Sequence, residues 1–317
     1  SGGTESNNWA IRGAVEANKR NGNKIITTMV EHASVKSPMK YLENQGYEVT
    51  YLPVDEYGVV SIDALKEAMS EDTILVSIMY VNNEVGAIEP VEEIGKYIKS
   101  VNKNVIYHID AIQAFGKLEI KPRKSNIDVL TVSGHKIHGP KGTGFMYLKK
   151  NAKVNPFILG GGQQEGMRSG TENVPGIAGI GQAAKDCYDN LQENVSKMTE
   201  LKDYLIDSLQ TIDGVTINSR KGAEGAPHVV SASFSGVRSE VLLHALEDKG
   251  VYISAGSACS SNKPAISETL KAMGIGKDLL GSTVRFSFCK DNTKEEIDYA
   301  VEQLKQMLPI LRKYVRR

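Results

Sequence analysis

Residues 73–109 open on Thr73-Ile-Leu-Val-Ser-Ile-Met79 and close on Val105-Ile-Tyr-His-Ile109, two apolar runs of strand length. Between them Val91 to Ser100 reads as a helix. Parallel strands need a crossover connection, usually helical, and a sheet covered on both faces needs no polar alternation. The same pattern extends outward. Upstream, Lys24-Ile-Ile-Thr-Thr28 and Tyr47-Glu-Val-Thr-Tyr-Leu52 read as strands. Ser37 to Gln45 reads as a helix ending at Gly46, and Ile62 to Met69 as a helix with Ser61 as its N-cap. Downstream, Val129-Leu-Thr-Val132 and Phe145-Met-Tyr-Leu148 are strand-like. The predicted class is α/β, with a mainly parallel sheet flanked by helices.

The rest of the chain changes character. A long helical pattern begins at Gly176 and runs through Ala183, Leu191 and Met198 to Lys202. Val229-Val-Ser-Ala-Ser-Phe234 and Thr283-Val-Arg-Phe-Ser-Phe288 alternate as half-buried strands. Glu295 to Leu311 is an amphipathic helix with Ile297, Ala300, Val301, Leu304, Leu308 and Leu311 on one face. A length of 317 residues exceeds what one core usually serves. Residues 1–193 are expected to form a large domain and residues 194–317 a smaller α+β domain.

Lysine plus arginine and aspartate plus glutamate each number 38, so no basic excess points to nucleic acid or an anionic membrane surface. No apolar run approaches the ~20 residues of a membrane span. Three cysteines, Cys187, Cys259 and Cys289, make no disulfide framework and fit a reducing, cytoplasmic setting with one reactive thiol. The chain begins at Ser1 without an initiator methionine, inside what reads as a glycine loop before a helix. A further N-terminal stretch is therefore expected.

The chemistry gathers on a few stretches. Ser133-Gly-His-Lys-Ile-His-Gly-Pro-Lys-Gly-Thr-Gly144 is a glycine-rich turn between strands. A lysine there, partly buried to keep its amine neutral, suits a Schiff base; a lone lysine in a turn is ordinarily just solvated. Upstream, Asp110 follows a strand, where α/β sheets place ligand-binding groups. It could hold a proton on a pyridine nitrogen, or simply cap a helix. Gln113 lies one helical turn on and could donate to a ring oxygen. Gly2-Gly3-Thr4-Glu-Ser-Asn-Asn8 suits a phosphate at a helix N-terminus. His32, in Glu31-His32, could stack on a planar ring or remain an ordinary hydrogen-bonded histidine. No metal-ligand spacing is present.

Taken in order, these stretches with Asn82-Asn-Glu-Val-Gly86, Arg168-Ser-Gly-Thr-Glu-Asn173 and Ser257-Ala-Cys-Ser260 resemble the cysteine desulfurases. These belong to the class V aminotransferase superfamily, with the fold-type I architecture of enzymes using pyridoxal 5'-phosphate (PLP). The resemblance implies that Lys136 bonds PLP and that Asp110 pairs with its pyridine nitrogen. Gln113 would meet the ring's phenolic oxygen, and His32 would stack on the ring. Gly3, Thr4, Ser133 and His135 would bind the phosphate. Thr171 would reach the phosphate of a neighbouring subunit, which implies a homodimer. Asn83 and Arg285 would hold the substrate carboxylate.

Cys259 sits in Ser254-Ala-Gly-Ser-Ala-Cys-Ser-Ser-Asn-Lys-Pro264, whose composition is that of a loop. Its context resembles the group with the longer cysteine-bearing loop, which serves iron–sulfur assembly. The implied reaction turns L-cysteine into L-alanine and leaves a persulfide on Cys259 for a sulfur acceptor such as a scaffold protein. Lys136, Cys259 and His32 would be the catalytic side chains. A selenocysteine lyase, another enzyme of the class, or an inactive homologue that binds a sulfur carrier remain open. Cys289 stands where the family usually has glycine. Strand periodicity puts it on the face of Arg285 and Ser287, near the substrate but not as nucleophile.

Overall fold

A computed structural model describes residues 1–255 and 266–314. Cys259 lies outside the described residues. The chain divides into two compact units. One comprises Ser1–Pro53, Val60–Val81 and Glu89–Leu191; the other comprises Val54–Val59, Asn82–Ile88 and Gln192–Arg317.

In the first unit, helix α1 (Gly3–Asn18) is followed by β1 (Lys24–Thr28), α2 (Ala33–Asn44), β2 (Glu48–Leu52), α3 (Ile62–Ala68) and β3 (Thr73–Met79). Then come α4 (Val91–Val101), β4 (Ile106–Asp110), β5 (Val129–Ser133), β6 (Gly144–Leu148) and α5 (Val174–Asp189). The six strands lie in the order β2-β1-β3-β4-β5-β6. Every pairing is parallel except β5 with β6, which is antiparallel. Every residue of β3, β4 and β5 is buried, so these strands carry no polar alternation. Helix α1 buries Asn7, Ala10, Ile11, Ala14, Val15 and Asn18, a stripe at helical spacing. That stripe packs over β3 to β6 and puts the helix N-terminus beside the end of β5.

The second unit holds α6 (Leu191–Gln210), β7 (Val215–Ile217), β8 (Val229–Phe234), α7 (Ser239–Glu247) and β9 (Ser254–Ala255). It continues with α8 (Glu268–Ala272), α9 (Lys277–Leu280), β10 (Thr283–Ser287) and α10 (Lys294–Leu311). Its antiparallel sheet has the order β7-β8-β10-β9. Leu205, Leu209, Phe234, Leu242, Leu246 and Leu304 form the heart of its core. Thr293 and Glu296 close a reciprocal capping box at the start of α10.

Four expectations need correction. The helix expected from Ser37 starts at Ala33, because His32 serves as its N-cap and accepts from the Ser34 backbone N–H. The single long helix expected from Gly176 is two, broken where Asn190 leaves helical geometry. Strand β8 is buried throughout rather than half-buried, because its polar Ser231 and Ser233 hydrogen-bond Asn218, and Ser233 also meets Thr283. Strand β10 ends at Ser287, so strand periodicity does not carry Cys289 onto the face of Arg285. Cys289 sits in a turn, its backbone N–H donating to Asn292 Oδ1 at 2.8 Å.

Candidate active site

The first unit gathers most of the expected site at the C-terminal ends of its parallel strands. Asp110 is the last residue of β4, in register with Met79 of β3 and Thr131 of β5. It is buried, and its two oxygens have different partners. Oδ1 accepts from the Ile112 backbone N–H at 2.9 Å, and Oδ2 from the Asn7 amide at 2.7 Å. Burial pushes the carboxyl up, while the Ile112 and Asn7 hydrogen bonds and the nearby His32 pull it back. Gln113 is half-buried in the turn that follows.

Ser133 ends β5, and Gly134–Ile137 forms a single 3₁₀ turn carrying His135 and Lys136. Ser133 Oγ lies 2.8 Å from His135 Nδ1. Lys136 is exposed, so the partial burial expected for it is not observed. A second lysine lies against it: Lys117 Nζ donates to the Lys136 carbonyl at 2.9 Å. Burial pushes the Lys117 amine down to about 8, a shift that Cys187 opposes and Lys136 reinforces.

The α1 N-terminus completes this group. Among the described residues no side chain caps it, so its first-turn N–H groups are available to an anion. Gly3 is pressed against the strand ends, where an added Cβ would fall 2.1 Å from Ile112 Cδ1 and 3.5 Å from Ser133 Cβ. Thr4 follows, exposed. Thr171 is also exposed, and Arg168, three residues before it, makes a two-pronged ion pair with Glu5 of α1. An uncapped helix N-terminus, a buried acid and the turn carrying His135 and Lys136 thus lie at the C-terminal ends of these strands.

His32 Nδ1 lies 2.8 Å from Ser34 Oγ, which accepts in turn from Asn7 at 2.9 Å. Asn7, Ser34, Thr131 and Lys117 did not stand out in the sequence as site residues. Asn7 lay within the quoted glycine stretch, and Ser34 two residues past His32, but side-chain type alone gave neither a role.

In the second unit Arg285, on β10, donates through Nη1 to the Asn83 carbonyl at 2.6 Å and through Nη2 to Ser254 Oγ at 3.2 Å. Arg285 therefore lies against the Asn83 backbone. Among the described residues there is no cluster of His, Cys, Asp and Glu able to hold a metal, and no helix long and apolar enough to cross a membrane.

The pattern of the class-V aminotransferase family matches residues 1–300. A cysteine desulfurase IscS of Clostridium botulinum is 42% identical over 310 residues, covering 97% of this chain and 78% of that protein. A putative cysteine desulfurase IscS 1 of Bacillus subtilis is 44% identical over 306 residues, covering 96% and 80%. Among solved structures, a NifS-like protein superimposes with a TM-score of 0.91 at 38% identity, covering 98% of this chain and 82% of that one. The chain belongs to the class-V aminotransferase family and, within it, to the cysteine desulfurases.

Proposed function

We propose that this protein is a PLP-dependent cysteine desulfurase. It converts L-cysteine to L-alanine and leaves the sulfur as a persulfide on Cys259 for iron–sulfur cluster assembly. The observation that carries the reading is Asp110, a buried carboxylate ending the parallel strand next to the one that leads into Lys136.

The residues present fit the cofactor. The uncapped α1 N-terminus, Thr4, Ser133 and His135 offer donors to a phosphate, and a side chain at Gly3 would have to displace the end of Ile112. PLP, when bound, supplies an electron sink for reactions at the substrate Cα. Asp110 would hold the proton on its ring nitrogen, with Gln113 toward its phenolic oxygen and His32 against the ring. Lys136 would anchor the cofactor, and its amine would take the substrate Cα proton. Arg285 and Asn83 hold the substrate carboxylate. Cys259, as thiolate, attacks the substrate sulfur. An S–S bond forms as the Cβ–S bond breaks, and the carbon fragment keeps the electron pair and is protonated to alanine.

The first unit serves as the cofactor-binding domain and the second carries the sulfur-accepting Cys259. Thr171 reaches the phosphate of a second copy, which makes the enzyme a homodimer. The exposed apolar side chains of Leu159, Val174 and Ile177, on both sides of Thr171 in sequence, support such an interface. A scaffold protein takes the persulfide, and the low cysteine count supports work in the cytoplasm.

Sulfide release from L-cysteine tests the reading, with wild type compared against Cys259→Ala at matched PLP occupancy. The substitution is expected to abolish release while the borohydride-sensitive colour persists. Equal release from both proteins would remove Cys259 as nucleophile, and a colourless protein that takes up no PLP would remove the cofactor.

A further inference from the structure

Asn7 is fully buried, and its amide is used on both sides. The nitrogen donates to Asp110 Oδ2 at 2.7 Å and to Ser34 Oγ at 2.9 Å, while Oδ1 accepts from Thr131 Oγ1 at 2.5 Å. A carboxylate only accepts, so Asp110 requires the nitrogen end of the amide. The second N–H then occupies Ser34 Oγ, leaving the serine proton for His32 Nδ1 at 2.8 Å. The Ser34 backbone N–H donates to the same Nδ1 at 3.1 Å, so neutral His32 carries its proton on Nε2.

The direction is set from behind. Burial holds His108 down to about 3, so it is neutral, with one ring proton. Its Nδ1 lies 2.8 Å from Ser77 Oγ and its Nε2 3.3 Å from Thr131 Oγ1. Thr131 spends its proton on Asn7, its shortest partner, with the Ile109 carbonyl further off at 3.4 Å. The threonine oxygen must therefore accept from His108 Nε2, and His108 Nδ1 accepts from Ser77. Each group donates to the next, and the chain Ser77, His108, Thr131, Asn7 ends on Asp110 and, through Ser34, on His32. Bonds ordered in one direction polarise one another in a dry interior.

We propose that Asn7 is a positioning residue: its amide, oriented by Thr131, holds the Asp110 carboxylate as an acceptor aimed at the cofactor and supplies His32 Nδ1 with a second donor by way of Ser34. The inference rests on the reading above, in which Asp110 and His32 serve one cofactor. It extends that reading to residues that touch no ligand themselves. Other groups act on Asp110 as well: His32 attracts it when its ring is protonated, and the Asp110 charge pushes the buried Glu31 up. The Asn7 amide is the contact that Thr131 controls.

The test follows the Asp110 carboxyl by 13C NMR and the His32 ring by 15N NMR, in the full chain before and after loading with PLP. Thr131→Val leaves Asn7 in place but frees its amide to turn. It is expected to move the Asp110 titration midpoint up by about one pH unit, the worth of one lost hydrogen bond to the charged form. It should also weaken PLP binding about tenfold. Thr131→Ser, which keeps the hydroxyl, should restore both values. Ser34→Ala cuts only the second branch and should change the His32 ring signals with Asp110 unmoved. Should Thr131→Val not fold, Asn7→Leu removes both donors without adding a charge and is expected to shift Asp110 in the same direction. An Asp110 midpoint unmoved in these variants would overturn the role of Asn7, as would a Ser34→Ala change at Asp110 equal to that of Thr131→Val. The titrations before loading do not involve PLP, so a protein that shows them yet binds no PLP overturns the cofactor assignment alone.

Discussion

Arg168 grips Glu5 with two nitrogens, Nε to Oε1 at 2.9 Å and Nη2 to Oε2 at 3.1 Å, across 163 residues of sequence. The pair ties the Arg168-Ser-Gly-Thr171 segment to the first turn of α1, where a carboxylate is also favoured by the helix dipole. The Arg168 contact is the main reason that Glu5 is held down to about 2; burial opposes it, and the hydroxyl and ammonium of Ser1 add to the lowering. A depressed carboxylate stabilises the fold above its unfolded value of 4.5, and loses that effect as pH falls through about 2. Solvent reaches both partners, so the pair is worth about 1 kcal/mol rather than the full shift. Glu5→Gln should lower the thermal midpoint at neutral pH, and its difference from wild type should shrink as pH falls across that window. A difference constant with pH would mean the pair carries no net charge effect.

Gly144 opens β6 opposite Ser133, and a Cβ there would lie 2.6 Å from the Val132 carbonyl oxygen and 2.9 Å from Gly2 Cα. Both are backbone atoms, so no side-chain rotation relieves the clash. Gly144→Ala is expected to lift the Gly2-Gly3 loop off the strand ends and to destabilise the protein by about 1–3 kcal/mol. Because that loop is part of the proposed phosphate cradle, PLP affinity measured by fluorescence titration should fall with it. Unchanged affinity at reduced stability would separate the cradle from the strand pairing.

Much of this arrangement is written locally. Lys24–Thr28 and Thr73–Met79 announce themselves as strands through short runs rich in β-branched and apolar residues, and Ser61 caps α3 as its side chain implies. Lys136, Asp110 and His32 stand out because their types suit a known chemistry. The Asn7 network does not, because its partners lie 27, 103 and 124 residues away and only the folded sheet brings them together. The start of α2 is likewise hidden: histidine is not a usual N-cap, and it is the ring of His32 accepting from the Ser34 N–H that begins the helix. The break at Asn190 escapes periodicity because the apolar spacing continues past it into α6, from Leu191 on.

Arg285 meets Asn83 and Ser254 with its two terminal nitrogens, which fixes the plane of the guanidinium. A planar fork binds a carboxylate by two parallel bonds, whereas lysine offers a single point of charge. Arg285→Lys is therefore expected to raise KM for L-cysteine about 10–100-fold, with a smaller change in kcat. Steady-state kinetics on the PLP-loaded protein decide this. An unchanged KM would remove Arg285 from carboxylate binding and leave it tying Asn83 to Ser254.

Glu31 precedes His32 and is buried three residues past the end of β1, with Oε1 accepting from Thr28 Oγ1 at 2.8 Å and from the Met79 backbone N–H at 2.9 Å. Its Oε2 is also buried and has no hydrogen-bond partner among the described residues. Burial, reinforced by the nearby Asp110 and Glu89 carboxylates, outweighs the Met79 and Thr28 contacts and pushes Glu31 up to about 8. The unfolded chain loses this proton near 4.5, while the folded one keeps it until about 8. The native state therefore binds one more proton across that interval, and stability falls as pH rises through it. Glu31→Gln keeps an oxygen for Thr28 and Met79 and cannot ionise. Its stability relative to wild type should improve by roughly 2–4 kcal/mol between about pH 5 and pH 8, as measured by urea denaturation at each pH. If the two proteins keep a constant difference over that range, Glu31 is ionised in the native protein, and the unpartnered oxygen must be solvated rather than protonated.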